Sequence, residues 1–204
     1  MRPPRFRDVA ALLAAAMLGA TAWAAAHPRP DVPAVLSAIE IGFAQDMSAH
    51  HQQAVTMTDM LAPDATGDVK ALAEQIRFTQ LSEIGQMTGW LALAGAPPAG
   101  AQPMAWMMPT STDHHDAGHD AMEMPGMATP TDLKRLQRSA GLANQNLFLH
   151  LMTRHHQGGI SMAAYAFHHT TNDTVRRAAS VMVDEQTQEI QIMATLLAQH
   201  ELQR

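Results

Sequence analysis

Cysteine is absent from this 204-residue chain, which removes disulfides, thiolate metal sites, thiol nucleophiles and a lipidated cysteine anchor together. Aromatic groups are scarce, with one tyrosine, three tryptophans and five phenylalanines, so the core has to be built from aliphatic and thioether side chains. Basic residues are outnumbered, 13 against 19 acidic, for a formal net charge of −6. A surface of that sign argues against nucleic acid and anionic membranes as partners. There is no Gly-x-Ser-x-Gly nucleophile turn, so serine-hydrolase chemistry has no support. No Glu-x-x-His occurs either, which argues against a dinuclear oxidase of the helical-bundle type. A non-enzyme is therefore expected. With 47% hydrophobic residues the chain can still bury a real core.

The N-terminus reads as an export signal. Residues 1–26 combine an arginine-bearing start, an apolar run over residues 9–20, and small residues at Ala22, Ala24 and Ala26. The apolar run is shorter than the roughly 20 residues of a spanning helix, so cleavage is expected to leave no membrane span. Removing Arg2, Arg5, Arg7 and Asp8 takes the charge to −8, from 10 basic and 18 acidic side chains. The expected location is periplasmic or secreted.

What is present in excess is thioether and imidazole: sixteen methionines and twelve histidines. Both ligate copper, and thioether selects the soft cuprous ion. The stretch "MSAHHQQAVTM", Met47 to Met57, returns 105 positions later as "MTRHHQGGISM", Met152 to Met162. The repeat is wider than that motif. Phe43 corresponds to Phe148, and at an offset of 106 Val69, Gln80, Glu83, Ile84 and Met87 correspond to Val175, Gln186, Glu189, Ile190 and Met193.

Periodicity and breakers divide the chain into two helical hairpins, residues 31–94 and 131–204, joined by a connector over residues 95–130. Helices are expected at residues 32–61, 68–94, from Thr131 or Asp132 with a bend at Gly141 through to His169, and at residues 173–203. One hairpin cannot bury its apolar face alone. Two of them make an all-α, antiparallel four-helix bundle the expected fold. The connector, rich in proline and glycine, reads as a linker without a packed core of its own.

At about 100° per residue, Met47, His50, His51 and Met57 fall within an arc of roughly 120° around a small residue, Ala54. Met152, His155, His156 and Met162 repeat the arrangement around Gly159. A small residue there admits a close helix or leaves room for an ion. Met87 and Met193 share helix faces with Glu83 and Glu189, which are placed to orient ligand histidines. The metal candidates are thus Met47, His50, His51, Met57, Met87, Met152, His155, His156, Met162 and Met193. A looser set lies in the connector: Met104, Met107, Met108, His114, His115, His119, Met122, Met124 and Met127. Signal cleavage after Ala24 would add a cupric site through His27, whereas cleavage after Ala26 would make His27 the first residue. Taken singly, such methionines serve as core filler and such histidines as hydrogen-bonders. Their duplication favours metal.

The segments "FAQDMSAHHQQAVTM" and "FLHLMTRHHQGGISM", with "QLSEIGQM" and "QTQEIQIM" and the later "MPGMAT", resemble the exported proteins of domain-of-unknown-function family 305. The resemblance spans residues 31–204. It implies a ferritin-like bundle and a periplasmic or secreted copper-binding protein of copper tolerance. Departures are modest: Ala54 becomes Gly159, Met60 is matched by Tyr165, and His168 and His169 have no counterpart in the first copy. The resulting expectation is a copper buffer or carrier, with Cu(I) favoured, in which another envelope copper protein is a partner for a carrier. The alternatives are a zinc protein, since histidine and glutamate suit zinc, and an envelope interaction module with no metal.

Overall fold

The computed structural model describes residues 35–108 and 123–202, and everything below concerns these. The signal segment, His27, His114, His115, His119 and Met122 lie outside the described residues. Five α-helices follow in order: α1 (Ala38–Asp59), α2 (Gly67–Leu93), α3 (Pro130–Arg138), α4 (Gly141–His169) and α5 (Asp173–Leu202), with a 3-10 turn at Ala105–Met107. α1 with α2 and α4 with α5 form the two hairpins, which meet chiefly through α1 and α4. The all-helical, four-helix-bundle class expected from the repeat is observed, with short α3 added beside α4. No described helix is long and apolar enough to cross a membrane.

Local chemistry sets the ends. α1 starts later than its periodicity suggests because Ser37 and Glu40 form a capping box: Glu40 N donates to Ser37 Oγ at 3.4 Å, and Ser37 N donates to Glu40 Oε2 at 2.7 Å. α3 is capped by Thr129 rather than Thr131 or Asp132, with Pro130 in its first turn and Asp132 closing a second capping box. The bend expected at Gly141 is a full break, since Ser139 and Ala140 are extended and Gly141 adopts φ +57°.

The two hairpins are stapled at both ends by buried polar side chains. Glu40 Oε1 accepts from Thr170 Oγ1 at 2.6 Å, Asn172 N at 3.1 Å and Thr171 N at 3.3 Å, tying the start of α1 to the α4–α5 turn. These bonds hold its carboxyl below the usual range although burial opposes them. At the repeat-equivalent position, Gln145 Oε1 accepts from Thr66 N at 3.2 Å and Thr66 Oγ1 at 3.1 Å, tying α4 to the α1–α2 turn. Asn144 adds bonds to Ala62 N, Met60 O and Leu136 O. Each repeat thus clasps the turn of the other.

The described parts of the connector pack into the bundle, contrary to the expectation of a mere linker. Asp46 Oδ2 accepts from Met104 N at 2.6 Å and Trp106 Nε1 at 2.8 Å, and Trp106 stands edge-on to Phe43 and Tyr165. Farther on, Gln53 exchanges two bonds with the Ala128 backbone, at 2.6 and 3.0 Å. The backbone at Pro125 and Gly126 lies so close to α4 that a Cβ on Gly158 would stand 1.9 Å from Pro125 O.

Candidate metal centre

The repeated motif faces inward. Met47, His50, His51 and Met57 of α1, and Met152, His155, His156 and Met162 of α4, have no exposed surface, as is true of Met87 on α2 and Met193 on α5. His50 and His155, equivalent positions of the two repeats, bring their rings together with centroids 3.8 Å apart and planes tilted by 31°. His51 and His156 stand outward of this pair, 6.4 and 6.3 Å from their chain neighbours. His51 Nε2 lies 2.7 Å from Glu83 Oε2, within ion-pair distance but off the direction of a hydrogen bond. His156 Nε2 makes a hydrogen bond of 2.7 Å with Glu189 Oε2, and Gln75 Nε2 donates to the other Glu189 oxygen at 3.3 Å.

Hydrogen-bond bookkeeping singles the site out. Nine buried side-chain polar atoms have no partner among the described residues, and all nine belong to the motif: five of them Nδ1 or Nε2 of His50, His51 and His155, one His156 Nδ1, and three the amide atoms of Gln80 and Gln186. Folded proteins rarely leave such atoms bare, because each costs about 1–3 kcal/mol. His50 Nε2 donates to the carbonyl of Pro125 at 3.1 Å, so its neutral ring leaves the Nδ1 lone pair free. The rings of His50, His51 and His155 are held neutral. Burial is the largest effect pushing His50 and His51 down to about 3, reinforced by neighbouring histidines, and burial likewise drives His155 well below 6.5. Burial and then the Glu189 carboxylate push Glu83 up to about 7. Neutral imidazoles with free lone pairs are what a metal needs.

The thioethers are grouped across the repeats rather than within them. Met47 and Met87 share one cluster with Met162 of the other repeat, whereas Met152 and Met193 share the second with Met57. Each apolar cluster therefore takes methionines from both repeats. The first cluster also takes in Met104 and Met182, with Met107 and Met124 packed on its edge. Met127 is half-buried and Met108 half-exposed. Room expected at Gly159 is filled instead by Gln186, whose Oε1 would meet a Cβ there at 2.4 Å. Among the described residues no three histidine, aspartate or glutamate side chains stand close enough to hold an ion by themselves.

Sequence reasoning missed three parts of this centre. Gln80 and Gln186 were seen only as repeat markers, yet they carry three of the nine bare atoms. Met182, buried in the cluster of Met47, has Ile76 at the equivalent position of the first repeat, so the repeat does not mark it. Pro125, whose carbonyl fixes the His50 tautomer, carries no sequence signal for that role.

The profile of the family described as "Domain of unknown function (DUF305)" matches residues 40–197. Among solved structures, a DUF305 protein from Streptomyces coelicolor, provisionally assigned as secreted, is similar at 38% identity with TM-score 0.70, covering 80% of this chain and 92% of that one. A DUF305 fragment from Deinococcus radiodurans is similar at 29% identity with TM-score 0.65, covering 80% and 98%. CopM in its Cu(II)-bound form shares the fold at 24% identity with TM-score 0.56, covering 78% and 96%, and its Cu(I)-bound form gives TM-score 0.57 at 22%. No curated protein matches. Doubled motif, bundle and profile agree: the chain belongs to the DUF305 family.

Proposed function

We propose that this protein is an exported, non-catalytic copper binder that sequesters or carries the ion, with cuprous copper favoured. One observation carries the reading: among the described residues, every bare buried polar side-chain atom lies on the duplicated motif, which also carries six fully buried methionines. Imidazole and thioether together suit Cu(I), and the six methionines have no rationale for zinc. Met47, Met87 and Met162 would serve one end, Met152, Met193 and Met57 the other, with the four histidines between. Glu83 and Glu189 would orient His51 and His156. CopM, whose fold this chain shares, has been obtained with Cu(I) and with Cu(II). Export follows from residues 1–26, and a carrier role would require a second envelope copper protein as acceptor.

The test is titration of the metal-free protein with Cu(I) against a competing chelator. Leucine fills nearly the volume of methionine without its sulfur. Replacing Met47, Met87 and Met162 by leucine should remove part of the tight capacity, and adding the same change at Met152, Met193 and Met57 should remove the rest. Unchanged affinity in the sixfold variant would falsify the assignment. Zinc is the second reading, favoured by the imidazole–carboxylate pairs His51–Glu83 and His156–Glu189. Zinc bound more tightly than Cu(I), with no effect of the leucine changes, would establish it.

A further inference from the structure

The four histidines are fully buried, so an ion needs a way in. On the α1–α4 side the connector at Pro125 covers His50. On the opposite side α2 and α5 touch only sparingly. Between them lies a groove of about 450 Å³, lined by Phe78, Ser82, Glu83, Arg177, Ala178 and Glu185 with their neighbours. Glu83 spans its floor. It lines the groove, is 13% exposed, and brings Oε2 to 2.7 Å from His51 Nε2, a wholly buried atom that makes no hydrogen bond. Glu185 lies one helical turn before Glu189 on α5. Glu83 on α2 and Glu185 on α5 line the groove together. Glu189 in turn bonds His156. Arg177 is the one basic side chain on the lining.

We propose that this groove is the port through which the ion passes between solvent and the buried imidazoles, with Glu185 at the mouth and Glu83 and Glu189 leading inward. The inference rests on the copper reading above. A cation shedding water has to replace that hydration stepwise, and carboxylate oxygens offer interim ligands. Hard oxygen holds soft Cu(I) weakly, so the ion moves on to imidazole and thioether rather than stopping at the mouth. The lining carries two carboxylates, Glu83 and Glu185, against the single guanidinium of Arg177, and an acidic cleft concentrates cations, with effects on association of up to about 10–10³-fold. No oxidation-state change or covalent step is involved.

The experiment is stopped-flow loading of the full metal-free chain with Cu(I) supplied as its acetonitrile complex, followed by removal with excess chelator. Glu185→Gln should slow loading and removal alike, by about tenfold, and leave the equilibrium affinity unchanged, because a group on the path alters the barrier and not the end state. Ala178→Trp, which fills the groove without changing its charge, should slow both further. Glu201→Gln, exposed near the far end of α5, should load at the unaltered rate. Helical circular dichroism checks that each variant folds, and Glu185→Gln decides the matter if the tryptophan variant does not. Unaltered rates in Glu185→Gln with intact affinity overturn the port alone. A fall in affinity at an unaltered loading rate also overturns it, making Glu185 a ligand. Failure of the unaltered chain to bind Cu(I) at equilibrium overturns the copper reading and the port together.

Discussion

Acid should unfold the metal-free protein in a range where most folded domains are still stable, and the size of the effect follows from the buried histidines. His50 and His51 are pushed down to about 3 from 6.5. Between those values the unfolded chain binds more protons than the folded one, so stability falls as pH drops through the window. At about 1.4 kcal/mol per pH unit, the two rings together remove about 4 kcal/mol between pH 7 and 5. Glu83 works the other way. Raised to about 7 from 4.5, it binds its proton more readily when folded, and acidification over the same interval returns about 2 kcal/mol. The net loss is about 2 kcal/mol by pH 5, and about 2 more by pH 4 as the Glu83 contribution levels off. His155 adds in the direction of the other two rings. Against a total stability of about 5–15 kcal/mol, such losses are large. Urea denaturation of the metal-free chain at pH 7, 5 and 4 measures them. His50→Leu should shrink the loss between pH 7 and 5 by about 2 kcal/mol. Stability that stays flat or rises from pH 7 to 4 in the unaltered chain would refute the burial of neutral rings. Bound metal competes with protons for the same lone pairs, so loading should move the acid midpoint downward.

Gly158→Ala gains about 1 kcal/mol of helix propensity, but its Cβ would meet the Pro125 carbonyl at 1.9 Å. Forcing the connector off α4 should leave a net loss of about 1–2 kcal/mol by urea denaturation. Gly159→Ala should cost less, since its obstacle is the end of the Gln186 side chain. Asp46→Ala leaves Met104 N and Trp106 Nε1 unpaired, which should cost about 2–3 kcal/mol and shift Trp106 emission to the red. Glu40→Gln loses charge-assisted bonds to the α4–α5 turn and should cost about 1–3 kcal/mol, read from the thermal midpoint.

Much of this arrangement was legible because the repeat carries both fold and chemistry. An arc of two methionines and two histidines on α1, copied on α4, can be buried only where the two helices meet, and His50 stacks on His155 there. The capping box of Ser37 and Glu40 shows why the first boundary was misread: apolar periodicity continues upstream of Ser37, but the cap ends the helix. Other features depend on tertiary placement that spacing does not encode. The crossing of Met162 into the cluster of Met47 follows from how the hairpins pair. The anchoring of Met104 and Trp106 follows from a carboxylate on α1 sixty positions earlier. The clasps of Glu40 and Gln145 stand at equivalent positions of the repeat, but a glutamate matched to a glutamine does not stand out until both are seen gripping the opposite turn.

The crossed thioether grouping ties binding to assembly of the bundle. Were each hairpin to hold its own set, one could load while the other was unfolded. Instead, Met162 completes the cluster of Met47 and Met87, and Met57 completes that of Met152 and Met193, so neither set exists until the hairpins dock. An ion that binds the docked form alone stabilises it by mass action, about 2.7 kcal/mol at one hundred times the dissociation constant. That gain offsets a cost visible in the metal-free state, where nine motif atoms are buried without partners. The same atoms that weaken the empty bundle are those that metal would satisfy, so replacing a motif histidine by an apolar residue of similar size should raise the stability of the empty bundle while lowering its affinity. The clasps at Glu40 and Gln145 bond to the opposite turns and to none of the motif histidines, and should change stability while leaving intrinsic affinity alone.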